Sequence, residues 1–198
     1  MEIYLIRHTT PDVAKGVCYG QADIDVTETF HNEASLIKDF VPAGIQQVHS
    51  SPLQRCRKLA ELLFPQTSIQ YHDALKEINC GDWELKRWDD IAKAEIQPWM
   101  EDFVNVCIPN GENYVQLHER CALLFDQLVQ TSPAAIVTHG GVIRSILSHI
   151  TNTPLKDSFN KFSLHYGCVV KITIENDQYA YNIIHNIIPV EAETHKPK

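Results

Sequence analysis

The residues best suited to chemistry in this chain are arginines and histidines that follow short apolar segments. Arg7 and His8 come directly after "EIYLI", Arg55 follows "IQQVHSSPLQ", and His139 follows "AAIVT". An arginine guanidinium binds two phosphate oxygens at once, and a neutral imidazole can act as a nucleophile near neutral pH. Two arginines and two histidines that meet in one pocket would therefore form a phosphate site.

Acidic residues cluster in another part of the chain, after the segment "SIQYHDAL". The group consists of Asp73, Glu77, Asp82 and Glu84. A carboxyl group at the rim of a phosphate pocket can protonate the alcohol that leaves when a phosphate ester is cleaved. No two cysteines or histidines have the short spacing of structural zinc sites. The residues therefore indicate phosphoryl transfer without a metal.

The segments that would position these residues alternate between strand and helix patterns. Strands are predicted at "EIYLIR", "IQQVHSS", "SIQYHDAL" and "AAIVT", and helices at "ETFHNEASLIKDFV", "SPLQRCRKLAELLF", "RWDDIAKAEI", "ENYVQLHERCALLFDQLVQ" and "GVIRSILSHI". The segments "GCVVKITIEND" and "QYAYNIIHNI" alternate every second residue and predict a hairpin that turns at Asn176–Asp177. This order predicts an α/β three-layer sandwich with a mostly parallel central sheet, helices on both faces and an antiparallel C-terminal edge hairpin.

Such a sheet also predicts where the chemistry lies. Ligands of open α/β sheets bind beyond the carboxyl ends of the strands, which is where the arginines and histidines fall. Ser51 is predicted as the N-cap of the second helix, with Pro52 at its first position. Helix N-termini at Ser51 and Gly140 would add backbone donors for an anion.

Length and composition limit the number of domains, the kinds of partner and the cellular compartment. The chain has 198 residues, which predicts a single domain at 1–190 and a polar tail at 191–198. A net charge of -8 argues against a nucleic-acid partner. The absence of a long apolar run and the acidic Glu2 in the first strand argue against a membrane segment or signal peptide. Six scattered cysteines predict reduced thiols in a cytoplasmic protein. The oligomeric state stays open.

Other enzyme classes fit the sequence less well. The "HGG" at 139–141 is found in lipases, but the chain has no G-x-S-x-G segment to supply a serine nucleophile. It also lacks the G-x-x-x-x-G-K loop of nucleotide-triphosphate hydrolases. Taken singly, histidines such as His8 and His139 are more often packing or capping residues, and an arginine such as Arg55 on a helix face is usually a solvated charge.

Four segments, in order, resemble the signature blocks of the histidine phosphatase superfamily, also called the phosphoglycerate mutase-like family. They are "YLIRHTTPD", "VHSSPLQRCRKLAELL", "LKEINCGDWE" and "IVTHGGVIRSIL". The resemblance implies a phosphohistidine mechanism without a cofactor, and a phosphomonoester hydrolase of the histidine acid phosphatase type. It implies His8 as the nucleophile, Glu77 as the proton donor, and a phosphate pocket made by Arg7, Arg55 and His139, to which the N-terminus at Gly140 would add its backbone donor.

The first block departs from the common R-H-G-E-T-x-x-N form of this family. Thr9–Pro11 replace Gly-Glu-Thr, and Ala14 stands where an asparagine often contacts the phosphoryl group. Gln21 in "CYGQADIDVT" is the expected replacement for that contact. The segments "RHTTPD", "CYGQ", "EINCGDWE" and "PNGENY" look most like the alpha-ribazole phosphatase branch of cobalamin synthesis.

The expected function is hydrolysis of a small phosphorylated metabolite, with alpha-ribazole 5′-phosphate as a candidate. His8 must be unprotonated at its attacking nitrogen, and its other nitrogen needs an acceptor such as a backbone carbonyl. Two alternatives remain open, a phosphoglycerate mutase-type phosphoryl transferase and a catalytically silent module that binds a phosphorylated ligand. Three tryptophans, Trp83, Trp88 and Trp99, either stack on a flat ring of the substrate or pack the cover of the pocket.

Overall fold

The fold is built on one six-stranded sheet, seen in a computed structural model that describes residues 1–129 and 133–187. The strands are β1 (Glu2–Arg7), β2 (Gln47–Ser50), β3 (Ile69–Tyr71), β4 (Ala134–Thr138), β5 (Val169–Glu175) and β6 (Gln178–His185). Their order across the sheet is β3-β2-β4-β1-β5-β6. The first four strands in this order are parallel, and β5 and β6 form an antiparallel hairpin at one edge. The predicted fold class is confirmed.

Helices cover both faces of the sheet. They are α1 (Phe30–Lys38), α2 (Gln54–Leu63), α3 (Lys93–Glu101), α4 (Tyr114–Leu128), α5 (Gly140–Thr151) and the short α6 (Ser158–Lys161). Side chains of β1 alternate between the faces, so Ile3 and Leu5 pack with α4 and α5. Tyr4 and Ile6 pack with α1 and α2 on the other face. Burial of both faces is the reason why β1 and β4 read as continuous apolar runs.

The sheet register aligns the strand ends that carry the arginines and histidines. Arg7 of β1 pairs with Thr138 of β4, and Ser50 of β2 pairs with Val137 of β4. Three parallel strands therefore end at the same edge, and the residues that follow them leave the sheet side by side. This register is what brings distant parts of the chain to one site.

The second helix starts later than the sequence predicts. Its first residue is Gln54 and its N-cap is Leu53, so the prediction of Ser51 as N-cap and Pro52 as first helical residue is wrong. Leu53 has an extended backbone with ψ of 136°, which keeps Ser51 outside the helix. The first helical amide, that of Gln54, donates to Asp23 at 2.6 Å.

The segment between β3 and α4 forms a cover over one end of the sheet. It contains short 3-10 turns at Gly81–Trp83 and Trp88–Asp90, followed by α3. The predicted third strand ends early, at Tyr71, and the predicted helix "RWDDIAKAEI" splits into one of these turns and α3. Trp83 is fully buried in the small apolar core of the cover, so it packs there and cannot stack on a ligand.

The C-terminal hairpin turns where the sequence predicts. Asn176 and Asp177 have φ of 50° and 60°, the pair of positive values that a two-residue type I′ turn requires. The domain boundary predicted at 190 and the polar tail predicted at 191–198 lie outside the described residues. None of the helices described here has the length and apolar character needed to span a membrane. The six cysteines all lie in the described ranges, and none forms a disulfide.

Candidate active site

His8 follows β1 and is held by backbone bonds on both sides. Its N–H donates to the carbonyl of Thr138 at 3.0 Å, and its carbonyl accepts from the N–H of Gly167 at 3.0 Å. The side chain is buried, with 2% of its surface exposed. The imidazole is thus fixed at the carboxyl end of the two central parallel strands.

The hydrogen bonding of His8 determines which nitrogen can react. Nδ1 lies 2.7 Å from the carbonyl oxygen of Thr9, and because a carbonyl only accepts, Nδ1 carries the proton. The lone pair of the neutral ring is therefore on Nε2. Burial lowers the pKa of His8 well below its usual value, and the charges of Arg55 and Arg7 lower it further. The imidazole is neutral at physiological pH, as a nucleophile must be.

Arg7 lies beside His8 at the end of β1. Its Nη1 donates to the carbonyl of Leu164 at 2.7 Å, and its guanidinium carbon lies 4.0 Å from the ring centroid of Tyr166. These contacts fix the plane of the guanidinium on two sides. An arginine with a fixed plane can present its fork to two oxygens of one phosphoryl group.

Arg55, in the first turn of α2, is fully buried. Its Nη1 donates to the carbonyl of Ala22 at 2.8 Å, and its Nη2 donates to the carbonyl of Gly20 at 2.6 Å. Its Nε has no hydrogen-bond partner in the described part of the chain. A buried charged donor without an acceptor is unfavourable unless a ligand supplies one.

His139 follows β4 and lies next to His8. The two ring centroids are 5.1 Å apart at an interplanar angle of 63°. Nε2 of His139 lies 2.8 Å from Oγ of Ser51, so this serine contacts the site instead of capping a helix. Burial lowers the pKa of His139 well below its usual value, with Arg55 the next largest cause. A bound phosphate would act in the opposite direction, because an anion favours the imidazolium.

Glu77 reaches the site from the cover. Its Oε1 accepts from the N–H of Ile78 at 2.9 Å, and its Oε2 accepts from the N–H of Gly141 at 3.0 Å. A Cβ atom at Gly141 would lie only 2.2 Å from Oε1 of Glu77. Glycine at this position is therefore what allows the carboxyl group to approach the start of α5.

The other three candidate carboxylates lie elsewhere. The side chain of Asp73 is 83% exposed and pairs with Lys76, and Asp82 is exposed. Glu84 has both oxygens occupied by backbone N–H groups. Among these four acids, all within the described residues, only Glu77 lines the cavity beside His8.

Gln21 takes part in a different contact from the one expected. Its Nε2 donates to the backbone carbonyl of Glu77 at 3.1 Å, which connects its loop to the segment that carries the acid. It does not line the cavity in the described structure, and Ala14 is exposed. A direct phosphate contact by Gln21 therefore stays a prediction.

A cavity of about 410 Å³ opens next to His8. Arg7, His8, Glu77 and Gly140 lie on its wall, whereas Arg55 and His139 are fully buried beside His8. Aromatic and apolar side chains form the remaining wall, among them Tyr19, Ile78, Trp88, Trp99, Phe103, Ile108, Tyr114, Phe159 and Tyr166. The cavity wall thus combines charged groups with a larger number of aromatic and apolar side chains.

Arg144 is a cavity residue that the sequence analysis missed. Its Nε donates to the carbonyl of Phe162 at 3.2 Å, and its guanidinium carbon lies 4.7 Å from the ring centroid of Phe159. Burial and the charge of Arg7 lower the pKa of Arg144. The sequence does contain a signal for it: Arg144 lies four residues after Gly140, so on a helix that starts at the site it lies one turn further on the same face.

We expect lysine at position 7 or 55 to reduce kcat/KM for a phosphomonoester by on the order of 100-fold or more. Lysine keeps the positive charge but loses the bidentate fork, and at position 55 it cannot bond the carbonyls of Gly20 and Ala22 in the same geometry. Steady-state kinetics of Arg7→Lys and Arg55→Lys measure this effect, with Arg57→Lys on the same helix as the matched control. A near-normal rate for either variant would remove that arginine from the site.

Comparison with known families shows which proteins the chain is similar to. The model of the family described as "Histidine phosphatase superfamily (branch 1)" matches residues 3–186. The "Adenosylcobalamin/alpha-ribazole phosphatase" of Escherichia coli is 24% identical over 190 residues, covering 91% of this chain and 93% of that protein. The "Metal-independent phosphoserine phosphatase" of Arabidopsis thaliana is 30% identical over 164 residues, covering 76% of this chain and 68% of that protein.

Solved structures with the same fold extend over nearly the whole chain. The alpha-ribazole phosphatase from Shigella flexneri superimposes with a TM-score of 0.86 at 24% identity, covering 97% of this chain and 100% of that one. At this level of identity the likeness establishes the fold. The cavity beside His8 therefore lies in a framework that this chain shares with the Shigella protein.

Proposed function

The chain belongs to the histidine phosphatase superfamily, and we propose that it hydrolyses a small phosphomonoester through a phosphohistidine intermediate on His8. Its relatives are named as phosphatases, and the phosphomonoesterase class follows from them. The observation that carries the mechanism is the neutral His8 ring, which is held by Thr9 with its lone pair on Nε2. This geometry supplies an uncharged nucleophile, which an anionic phosphate ester does not repel.

In the first step, the lone pair of His8 Nε2 attacks phosphorus and the bond between phosphorus and the ester oxygen breaks. The electron pair of that bond goes to the leaving oxygen, and the protonated carboxyl group of Glu77 gives this oxygen its proton. Arg7, Arg55 and His139 stabilise the charge that spreads over the other phosphoryl oxygens. The products of this step are the free alcohol and phosphohistidine.

In the second step, water replaces the alcohol. The Glu77 carboxylate takes a proton from the water, whose oxygen attacks phosphorus as the bond from nitrogen to phosphorus breaks. The electron pair returns to Nε2, which restores neutral His8, and Glu77 is again protonated. In this mechanism the side-chain cations neutralise the phosphoryl charge. Within the described residues, no group of three His, Cys, Asp or Glu side chains is placed to hold a metal ion.

The aromatic part of the cavity wall is the basis for the proposed substrate class. Trp88 and Trp99 lie on this wall with their two rings stacked on each other at an interplanar angle of 17°, and Arg144 also lines the cavity. A flat, largely apolar alcohol fits such a wall better than a small charged one. We therefore propose alpha-ribazole 5′-phosphate as the first candidate, and the name of the E. coli relative supports this choice.

We also propose that the protein acts in the cytoplasm, where cysteines stay reduced. Its six cysteines form no disulfide, which fits that compartment.

The proposal is tested by phosphate release from a panel of substrates in the presence of a chelator. The panel contains alpha-ribazole 5′-phosphate, phosphoserine, phosphoglycerates, sugar phosphates and nucleotides. We expect release to persist with the chelator, and kcat/KM to be highest for the phosphate with a flat ring. Transfer of the phosphoryl group to a second phosphoglycerate would indicate a mutase, and binding without release would indicate a silent module. A clear preference for phosphoserine would contradict the substrate class.

A further inference from the structure

Glu84 makes an unusual set of contacts just outside the cavity. Its Oε1 accepts from the backbone N–H groups of Gln21 at 2.7 Å and Cys80 at 3.0 Å. Its Oε2 accepts from those of Gly20 at 2.9 Å and Ala22 at 3.1 Å. One carboxylate therefore binds three consecutive amides of the loop at 20–22 and one amide of its own segment.

The same loop holds Arg55 on its other side. The carbonyls of Gly20 and Ala22 accept from Nη2 and Nη1 of Arg55. Gly20 and Ala22 thus each bond an anion through their N–H and a cation through their C=O. Arg55 is fully buried, and in the described part of the chain its side chain hydrogen-bonds only these two carbonyls. The loop therefore connects a buried cation to the Glu84 carboxylate.

The loop can make these contacts only with glycine at position 20, because there is no room for a side chain. A Cβ atom there would lie 1.9 Å from the carbonyl oxygen of Ile78 and 2.9 Å from Oε1 of Glu84. The first of these contacts is with backbone, which cannot move aside as the end of a side chain would. Any larger residue would push the loop away from both Glu84 and Arg55.

We propose that Glu84 is a positioning residue that sets the orientation of the Arg55 guanidinium through the loop at 20–22. This inference rests on the proposed function, because Arg55 matters only if the site binds a phosphoryl group. Glu84 does not touch the substrate in this account, and in the described structure it is absent from the cavity wall. Its carboxylate fixes the two carbonyls, and the carbonyls fix the fork of Arg55.

Glu84→Gln tests the proposal most directly. A glutamine has one acceptor oxygen, and its Nε2 would face backbone N–H groups that need an acceptor, so the loop loses part of its support. We expect kcat/KM for p-nitrophenyl phosphate to fall about 10- to 100-fold. We also expect inorganic phosphate to inhibit more weakly, because Arg55 is no longer held in place.

A double-mutant cycle with Arg55→Lys separates positioning from a general loss of structure. If Glu84 acts through Arg55, Glu84→Gln costs less than about 3-fold once Arg55 is already lysine, because residues that share one network are not additive. Glu112→Gln is the matched control. Glu112 also accepts from a backbone amide of the cover, that of Asn79 at 2.9 Å, and it pairs with Arg120, but within the described residues it makes no hydrogen bond to Arg55 or to the loop at 20–22. Its effect should be the same in both backgrounds.

The outcomes distinguish this inference from the proposed function. Phosphate release by the wild-type protein tests the function, whereas the coupling between positions 84 and 55 tests only Glu84. Full additivity, or near-normal kinetics of folded Glu84→Gln, would overturn the inference. If Glu84→Gln does not fold, Glu84→Asp serves instead, because it keeps the charge but is too short to bind all four amides. The same coupling to Arg55→Lys is then expected, and its absence would again overturn the inference.

Discussion

His8→Ala is expected to abolish turnover, with a loss on the order of 10⁶-fold in kcat, the size found when a nucleophile is removed. The alanine variant has no acceptor for the phosphoryl group at position 8. The His139 imidazole lies beside His8, with ring centroids 5.1 Å apart, but its Nε2 is 2.8 Å from the Ser51 hydroxyl and the residue is fully buried. Steady-state release of p-nitrophenol measures the loss, and the burst seen in rapid-quench experiments should disappear.

The covalent intermediate provides the direct check on this expectation. A brief incubation of wild-type protein with substrate, followed by a quench that avoids acid, should leave an acid-labile phosphoryl group on His8. Peptide mass spectrometry locates the adduct, and His139→Ala, which keeps His8, is the control that should still form it more slowly. An adduct on His139, or one that resists acid, would contradict the assignment of the nucleophile.

The pH dependence of the burst follows from the environment of His8. Burial and two arginines lower its pKa well below 6.5, so the free enzyme keeps the neutral, reactive form as pH falls through 6.5. The burst rate constant measured well below saturation with p-nitrophenyl phosphate, which reports the free enzyme, should therefore show no loss with a midpoint near 6.5. A midpoint at that pH would mean that His8 titrates like an exposed histidine.

Glu77→Gln should slow phosphorylation by alkyl phosphates about 100- to 10,000-fold, the range typical of general acid catalysis. An alkoxide is strongly basic and needs a proton as its bond to phosphorus breaks, whereas nitrophenolate can leave without one. The burst with p-nitrophenyl phosphate should therefore change far less than the corresponding step with an alkyl ester. Steady-state turnover can fall for both substrates, because the carboxylate also activates water.

The comparison between leaving groups is needed because Glu77 also has structural contacts. Both of its oxygens accept a backbone N–H, so glutamine loses one of these bonds. If Glu77→Gln only disturbs the structure of the site, it should slow the bursts with both substrates equally. If Glu77 has no part in the reaction, the variant should slow neither burst. Either result would remove Glu77 from the role of acid. Glu77→Asp is the control for this structural contact, because aspartate keeps the carboxyl group but is too short to accept the N–H of Gly141 in the same position.

Local sequence patterns were sufficient to predict most of the framework. The apolar runs of β1 and β4 are continuous because both faces of the sheet are covered, and the Asn176–Asp177 pair marks the hairpin because both residues have positive φ. The order of motifs predicted the superfamily, which the family model confirms. Arg7 at the end of β1, and His8 and His139 directly after β1 and β4, could be singled out because strand ends can be read locally.

The tertiary structure decided which of the candidate residues lie together beside His8 and which lie elsewhere. From the residue types alone, Asp73, Glu77 and Glu84 are equally suitable as proton donors. Of these three only Glu77 lines the cavity, because Gly141 of a helix distant in sequence leaves room for its carboxyl group. Such choices depend on contacts between residues far apart in the chain, here 64 positions for Glu77 and Gly141. Arg144 and the loop that connects Glu84 to Arg55 escaped sequence reasoning for the same reason. Their roles come from the space and charge around them, and these exist only after the strands have paired in register.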